Sequence, residues 1–266
     1  MSPLVDAAVE AARAGGEVLM ANWRRLPQGS VSEKKKHDFV THADRESEEE
    51  IVRRIRERFP NDAFLGEEGG ARAGEKDART WIIDPLDGTS NFIAGFPFWC
   101  VSVAARERGE LVAGVIWDPL RGEMYTGARG GGAYRNGERL RVSEREGLDD
   151  AFVATGFPFR SKERIQLYLE LFHGIFLRAR AIRRAGSAAL DLAYVAAGVF
   201  DGFFEFRLSL WDIAAGALLI EEAGGRITDY DGGTRLYERG NVVAGTPGVV
   251  REIVEIASGH FREEEI

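Results

Sequence analysis

The chain has 266 residues, 44% hydrophobic and 29% charged, enough apolar material for one large or two small globular domains and too much for a disordered chain. Its formal net charge is -8, and Lys34-Lys35-Lys36 is the one sustained basic run, which disfavours sequence-independent nucleic-acid binding through clustered cations. Cys100 is the single cysteine, so a disulfide framework and a thiolate metal site are excluded. No apolar run approaches the roughly 18 residues of a membrane span. The N-terminus lacks a basic-then-apolar signal layout, so a reducing cytoplasm is the expected location.

Ser2 and Pro3 open a first helix in which Leu4, Val5, Ala8, Val9 and Ala12 keep helical spacing. A second starts near Asp44, with Ile51, Val52, Ile55 and Phe59 inward and Glu49/Arg53 and Glu50/Arg54 as outward i,i+4 pairs. Pro60-Asn61-Asp62 ends it. "AFLGEE" and "TWIID" read as short strands running into acids. From Phe98 to Val142, extended segments are broken by turns at Arg108-Gly109, Asp118-Pro119, Arg121-Gly122 and Asn136-Gly137, an antiparallel meander. After Ser143, strands ("AFVATG", "DGFFEF", "RITDY", "NVVAG") alternate with helices over 161–178, 187–197, 211–223 and 248–257. The pattern predicts an α/β (α+β) chain of two intimately packed halves, 1–142 and 143–266. The first holds an antiparallel sheet with helices, the second a mixed sheet with helices, and the cleft between them is the natural site.

One stretch demands compensation. In "WIIDPLDGTSNF" the apolar residues Trp81, Ile82 and Ile83 lead directly into Asp84 and Asp87, two carboxylates that repel each other and lose hydration at the end of a buried strand. Pro85 stiffens the turn, Gly88 opens backbone geometry closed to other residues, and "TSNF" starts a helix whose free N–H groups can hold an anion. Glu67 and Glu68 of "GEEGG" end the neighbouring strand. Clustered oxygen donors beside a phosphate-ready helix suggest Mg²⁺ with a phosphoryl ligand, since Mg²⁺ shares carboxylates with substrate phosphate. A second ion would neutralise the remaining charge, as in two-metal phosphatase sites with ions about 3.5–4 Å apart. Taken alone, "DPLDG" is a solvated Asp-Pro/Asp-Gly turn more often than a metal site.

The string as a whole decides between these. "GEEGG", "WIIDPLDGTSNF" and "LWDIAAGALLIEEAGG" resemble the inositol monophosphatase family of Mg²⁺-dependent, lithium-sensitive phosphatases, in the family's order and over nearly the whole chain. "DFVTHAD" resembles its upstream aspartate segment; "ATGFPF" and "RRAGSAALDLAYVAAG" resemble its bacterial branch. The resemblance implies an alternating α-β-α-β-α sandwich of the sugar-phosphatase type, usually a homodimer, with two or three Mg²⁺ ions. It implies hydrolysis of small phosphate monoesters of a polyol or sugar, foremost inositol 1-phosphate, by a metal-activated water. Fructose 1,6-bisphosphate, histidinol phosphate and nucleotide 3′-phosphates are used by related proteins.

Residue by residue, Glu67, Asp84 and the Leu86 carbonyl resemble the ligands of a first metal, and Asp84, Asp87 and Asp212 those of a second. Thr89 with Asp44 resembles the pair that orients the attacking water, with Glu67 assisting. The backbone of Gly88 and Thr89 would hold phosphate, and Gly186, Ser187, Ala188 and Glu205 resemble the substrate-hydroxyl pocket. Lys34 aligns with a lysine at the site's mouth, in a register shared with Lys35 and Lys36. The remaining candidates read as structure: the four histidines show no ligand spacing, Cys100, Trp211 and Phe203-Phe204 read as core, Asp191 as a helix-surface acid and Asp201 as a turn acid. "GARGGGAYRNG" lacks the Lys-Ser/Thr ending of a phosphate loop. Haloacid-dehalogenase phosphatases space their two aspartates by two, against three here. A regulatory, macromolecule-binding dimer is the competing reading of a different class.

Overall fold

The computed structural model describes residues 2–26, 31–35, 38–159 and 161–260, with the backbone alone at 31–35, 38, 39 and 260. Helix α1 (Pro3–Asn22) is capped by Ser2, whose hydroxyl accepts from the Val5 amide at 3.3 Å. A hairpin of β1 (Val31–Lys35) and β2 (Asp38–Thr41) leads into α2 (His42–Arg58). There Thr41 is the N-cap and Asp44 closes a capping box onto it, so the helix begins two residues before Asp44. On the outer face of α2, Arg54 pairs with Glu50 as expected, whereas Arg53 pairs with Glu50 and Glu57.

Strands β3 (Ala63–Gly66), β4 (Gly70–Arg72) and β5 (Thr80–Asp87) precede the short α3 (Thr89–Ala94). The meander follows as β6 (Cys100–Glu107), β7 (Glu110–Asp118), β8 (Glu123–Ala128), β9 (Gly132–Arg135) and β10 (Glu138–Arg139). Together these strands form an eight-stranded sheet in the order β10-β9-β8-β7-β6-β5-β3-β4. It is antiparallel except for β3 beside β5, because the β3–β4 hairpin turns outward before the chain returns as β5.

The rest of the chain contributes β11 (Phe152–Thr155), α4 (Ile165–Phe176), β12 (Ala181–Arg183), α5 (Ala188–Ala196) and β13 (Gly202–Glu205). Helix α6 (Leu210–Glu222), β14 (Arg226–Thr228), α7 (Leu236–Arg239), β15 (Val242–Gly245) and α8 (Pro247–His260) complete it. A mixed five-stranded sheet runs β12-β11-β13-β15-β14. The hairpin β1–β2, strand β12 and helix α7 have no counterpart in the sequence reading. The helix expected from Ser161 begins as a 3-10 turn at Lys162–Arg164 without a side-chain cap.

Layering follows from the alternation of side chains. Along β5, Trp81 and Ile83 face α1 and α2 in one core, and Ile82 faces α5 and α6 in the next. Phe203 and Phe204 divide in the same way between the central core and a third beneath α4 and α8. The order is therefore helix, sheet, helix, sheet, helix. Gly114 on β7 lets α6 lie directly on the first sheet, since a Cβ there would stand 2.9 Å from the Ala215 carbonyl oxygen. That contact carries the N-terminus of α6 to the end of β5.

Candidate active site

Strand β5 does not end at Asp84, as expected, but continues to Asp87 through an irregularity in its pairing with β6. Pro85 and Leu86 stand opposite the single Val101, a bulge that re-aims the two carboxylates. The Leu86 amide donates to Asp84 Oδ1 at 3.0 Å. Gly88 then turns the chain into α3 at φ 97°, a left-handed conformation packed within 3.0–3.1 Å of Phe98 and Trp99 for any added Cβ.

Asp212 enters from the other half of the chain. It is the third residue of α6 and accepts from the Ser209 amide at 2.7 Å in a capping box. One carboxylate oxygen from each of Asp84, Asp87 and Asp212 lies within 4.8 Å of the others. Asp84 is fully buried, and burial, then the neighbouring carboxylates Glu67, Asp87 and Asp212 and a side-chain hydrogen bond with Glu67, hold its pKa well above the usual range. An all-oxygen donor set with this excess of negative charge suits a hard divalent cation such as Mg²⁺.

Asp87 has other support. Its Oδ2 accepts from the Ser187 hydroxyl at 2.6 Å and from the Ala189 amide at 2.7 Å, so the start of α5 holds it. Ser187 is buried, faces Asp87, and is not among the residues lining the cleft; its hydroxyl does not cap its own helix. Glu67, Asp84, Leu86, Asp87, Gly88 and Thr89 line the cleft on one side, and Gly186, Ala188, Glu205 and Asp212 line it too.

Asp44 lies below Thr89, buried and out of the cleft. Thr89 Oγ1 reaches Asp44 Oδ1 at 3.2 Å and the Leu86 carbonyl at 3.1 Å, while the Thr41 amide donates to Asp44 Oδ2 at 3.0 Å. Burial pushes the Asp44 pKa up to about 6 against the lowering effect of its Thr41 hydrogen bonds. Lys34 sits on β1; the direction of its side chain, and Lys36 and His37 altogether, lie outside the described residues.

Three features escaped the sequence reading. Glu48 is buried and accepts from the amides of Glu68 and Gly69, each at 2.8 Å, and from Arg72 at 3.1 Å, which fixes the "GEEGG" turn. Its signal was an acid inside the inward stripe of α2, one turn after Asp44. Asn91 donates to the carbonyls of Phe98 and Ala185, tying α3 to the loop before α5. Asp191 is not a surface acid: it is buried, its Oδ1 has no hydrogen-bond partner among the described residues, and burial, Glu205 and Asp87 raise its pKa well above the ordinary value. It falls on the inner side of α5 because that helix is sandwiched between the two sheets. Cys100 is buried as expected.

The chain matches the inositol monophosphatase family over residues 1–259. The Nus factor SuhB of Pseudomonas aeruginosa is 46% identical to it over 265 residues, covering 98% of each chain. Among solved structures, the extragenic suppressor protein suhB from Bartonella henselae gives a TM-score of 0.94 at 39% identity, covering 98% of this chain and 100% of its own. The inositol monophosphatase from Anabaena (Nostoc) sp. PCC 7120 gives 0.86 at 36%, covering 98% and 97%.

A carboxyl whose folded pKa lies above its unfolded one favours the fold in acid and works against it as pH rises through that interval. Asp84→Asn is therefore expected to raise the Tm of EDTA-treated protein at neutral pH and to abolish most of the Tm increase that Mg²⁺ confers. An unchanged Mg²⁺ response would show that the cation binds elsewhere.

Proposed function

Because the chain belongs to the inositol monophosphatase family, we propose that it hydrolyses small phosphate monoesters of polyols or sugars, inositol 1-phosphate foremost, with Mg²⁺ as cofactor. The observation that carries this reading is the convergence of Asp84, Asp87 and Asp212, from opposite halves of the chain, at the floor of one cleft. In it the halves 1–142 and 143–266 work as a single catalytic unit.

Glu67, Asp84 and the Leu86 carbonyl would hold one Mg²⁺, and Asp84, Asp87 and Asp212 another. Bound there, the cation supplies Lewis acidity to the phosphate and lowers the pKa of water. The protein's own part is positioning. Thr89 directs its hydroxyl proton to Asp44, which leaves its oxygen free to accept a proton from water in the cleft. The amides of Gly88 and Thr89 face phosphate, and Gly186, Ala188 and Glu205 receive the substrate's hydroxyls. Ser187 acts through Asp87 rather than on substrate. Lys34 is the proposed cation at the mouth.

Lithium sensitivity, a cytoplasmic location and a homodimer complete the proposal. Among the described residues no helix is long and apolar enough to cross a membrane. Ile165, Leu169, Phe176 and Leu177 are exposed along and just past α4, an apolar stripe suited to a second copy. Light scattering should report twice the chain's 29.4 kDa; a monomer would remove the dimer from the proposal.

A second reading rests on the relatives. The most similar proteins above are named a Nus factor and an extragenic suppressor, neither of which is the name of a phosphatase. A regulatory, macromolecule-binding role is therefore kept beside the enzymatic one. Asp84→Asn separates them, since a regulator would keep its cellular phenotype in that variant.

Asp212→Asn should lower Mg²⁺-dependent phosphate release by at least a hundredfold while the fold persists. A single turnover in ¹⁸O-water should place label directly in phosphate; unlabelled product would point to a side-chain nucleophile. The rate should carry an acid limb near pH 6, because protonated Asp44 cannot take the Thr89 hydroxyl proton. Below that pH kcat/KM should fall about tenfold per unit. Persistence of the limb in Asp44→Asn would assign it to another group.

A further inference from the structure

The proposed metal ligands hang on different elements and are not held alike. Asp87 and Asp212 are fixed through their own carboxylates, by hydrogen bonds from the starts of α5 and α6. Glu67 stands in the three-residue turn between β3 and β4, where Gly66 pairs with Gly70. What holds that turn is a residue outside the cleft lining, the buried Glu48 of α2.

The hold acts on the Glu67 backbone. The Glu67 amide donates to the Ile83 carbonyl at 3.1 Å, which sets the peptide plane before it. The Glu68 amide donates to Glu48 Oε2 at 2.8 Å, which sets the plane after it. With the planar peptides on both sides held, the two soft torsions of Glu67 are held, and so is the direction in which its side chain leaves the chain. Glu48 Oε1 takes the Gly69 amide at 2.8 Å and Arg72 Nη2 at 3.1 Å, closing a clasp across the hairpin. Gly66 and Gly69 make room for it. Neither has a positive φ, but a Cβ on either would collide with the Glu48 carboxylate, and on Gly69 with the Arg72 guanidinium as well.

Glu48 is a firm anchor because α2 cannot follow the turn. On the same face of the helix, Asp44 accepts from the Thr89 hydroxyl at 3.2 Å and the Ser47 hydroxyl donates to the Pro85 carbonyl at 3.4 Å. Arg72 lies on β4, the edge strand of the first sheet, and is partly exposed. A buried carboxylate with three donors keeps one geometry; once a partner is removed, the amides of the turn must find water instead. Mg²⁺ holds its oxygen ligands to a narrow octahedral geometry, so displacing one carboxylate weakens the ion it serves.

We infer that Glu48 and Arg72 are positioning residues for Glu67, and that they set the affinity of the one cation Glu67 would hold while leaving the cation shared by Asp87 and Asp212 unaffected. The inference rests on the metal assignment of the phosphatase reading above. Both residues act through the turn and touch neither ion nor substrate.

The test counts bound ions rather than turnover. Mn²⁺ is titrated into EDTA-treated, dialysed protein and the free ion is read from its electron paramagnetic resonance signal. The unaltered chain is compared with Glu48→Gln, Arg72→Gln, Glu67→Gln and Asp212→Asn. Glu48→Gln sets an amide donor against a backbone donor, whereas Arg72→Gln, at a partly exposed edge, removes only the cation. The expected result is two ions on the unaltered chain, one weakened by Glu67→Gln and the other by Asp212→Asn. Glu48→Gln should weaken the Glu67-dependent ion about tenfold or more, and Arg72→Gln should act in the same direction, with the other ion unchanged. The double variant Glu48→Gln/Glu67→Gln should bind as Glu67→Gln does. Weakening of both ions alike, weakening of neither, or a further loss in the double variant overturns the inference. If Glu48→Gln does not fold, Arg72→Gln carries the same decision. No Mn²⁺ on the unaltered chain overturns the metal assignment, and this inference with it. Both ions bound as expected, with no phosphate released from inositol 1-phosphate in Mg²⁺, overturns the phosphatase reading alone and leaves this inference standing.

Discussion

The burial of Asp84 among like charges is the constraint on which the rest of the structure turns. A carboxylate removed from water costs several kcal/mol unless it is paired. Here its nearest charged company is Glu67, Asp87 and Asp212. Hydrophobic burial of Trp81, Ile82 and Ile83 on both faces of β5 forces the arrangement, because the strand cannot slip outward without exposing a core residue on one side or the other. The bulge at Pro85 and Leu86 then points Asp84 and Asp87 into one cleft.

The other acids are held by devices the layers supply. Asp87 takes the Ser187 hydroxyl and the Ala189 amide at the start of α5, and Asp212 takes the Ser209 amide at the start of α6. Both helices are sandwiched between the sheets, so their N-termini arrive at the end of β5 together. Asp44 and Glu48 extend the same logic on α2: one turn apart on its buried face, they hold Thr89 and the "GEEGG" turn respectively. The site is thus assembled from the starts of α2, α3, α5 and α6 and the ends of β3 and β5.

Much of this was legible in the residues. The period-two and period-3.6 patterns located the long helices and the meander, and Asp84, Asp87 and Glu67 announced themselves as acids at strand ends, whereas Asp212 was picked out only by the family resemblance. What stayed hidden was tertiary. Ser187 resembles a helix cap, and only the approach of β5 gives its hydroxyl to Asp87. Asp191 has helical spacing compatible with solvent, and only the second sheet covering α5 buries it. Strand β12 is three residues with Arg183 exposed, too short for a periodic signal.

Anomalous scattering from crystals soaked in Mn²⁺, a Mg²⁺ surrogate with the same preference for oxygen, tests the central claim most directly. Peaks are expected within about 2.5 Å of carboxylate oxygens of Asp84, with Asp87 and Asp212 sharing one of them and Glu67 another. Ordered crystals with strong peaks elsewhere and none at Asp84 would contradict it.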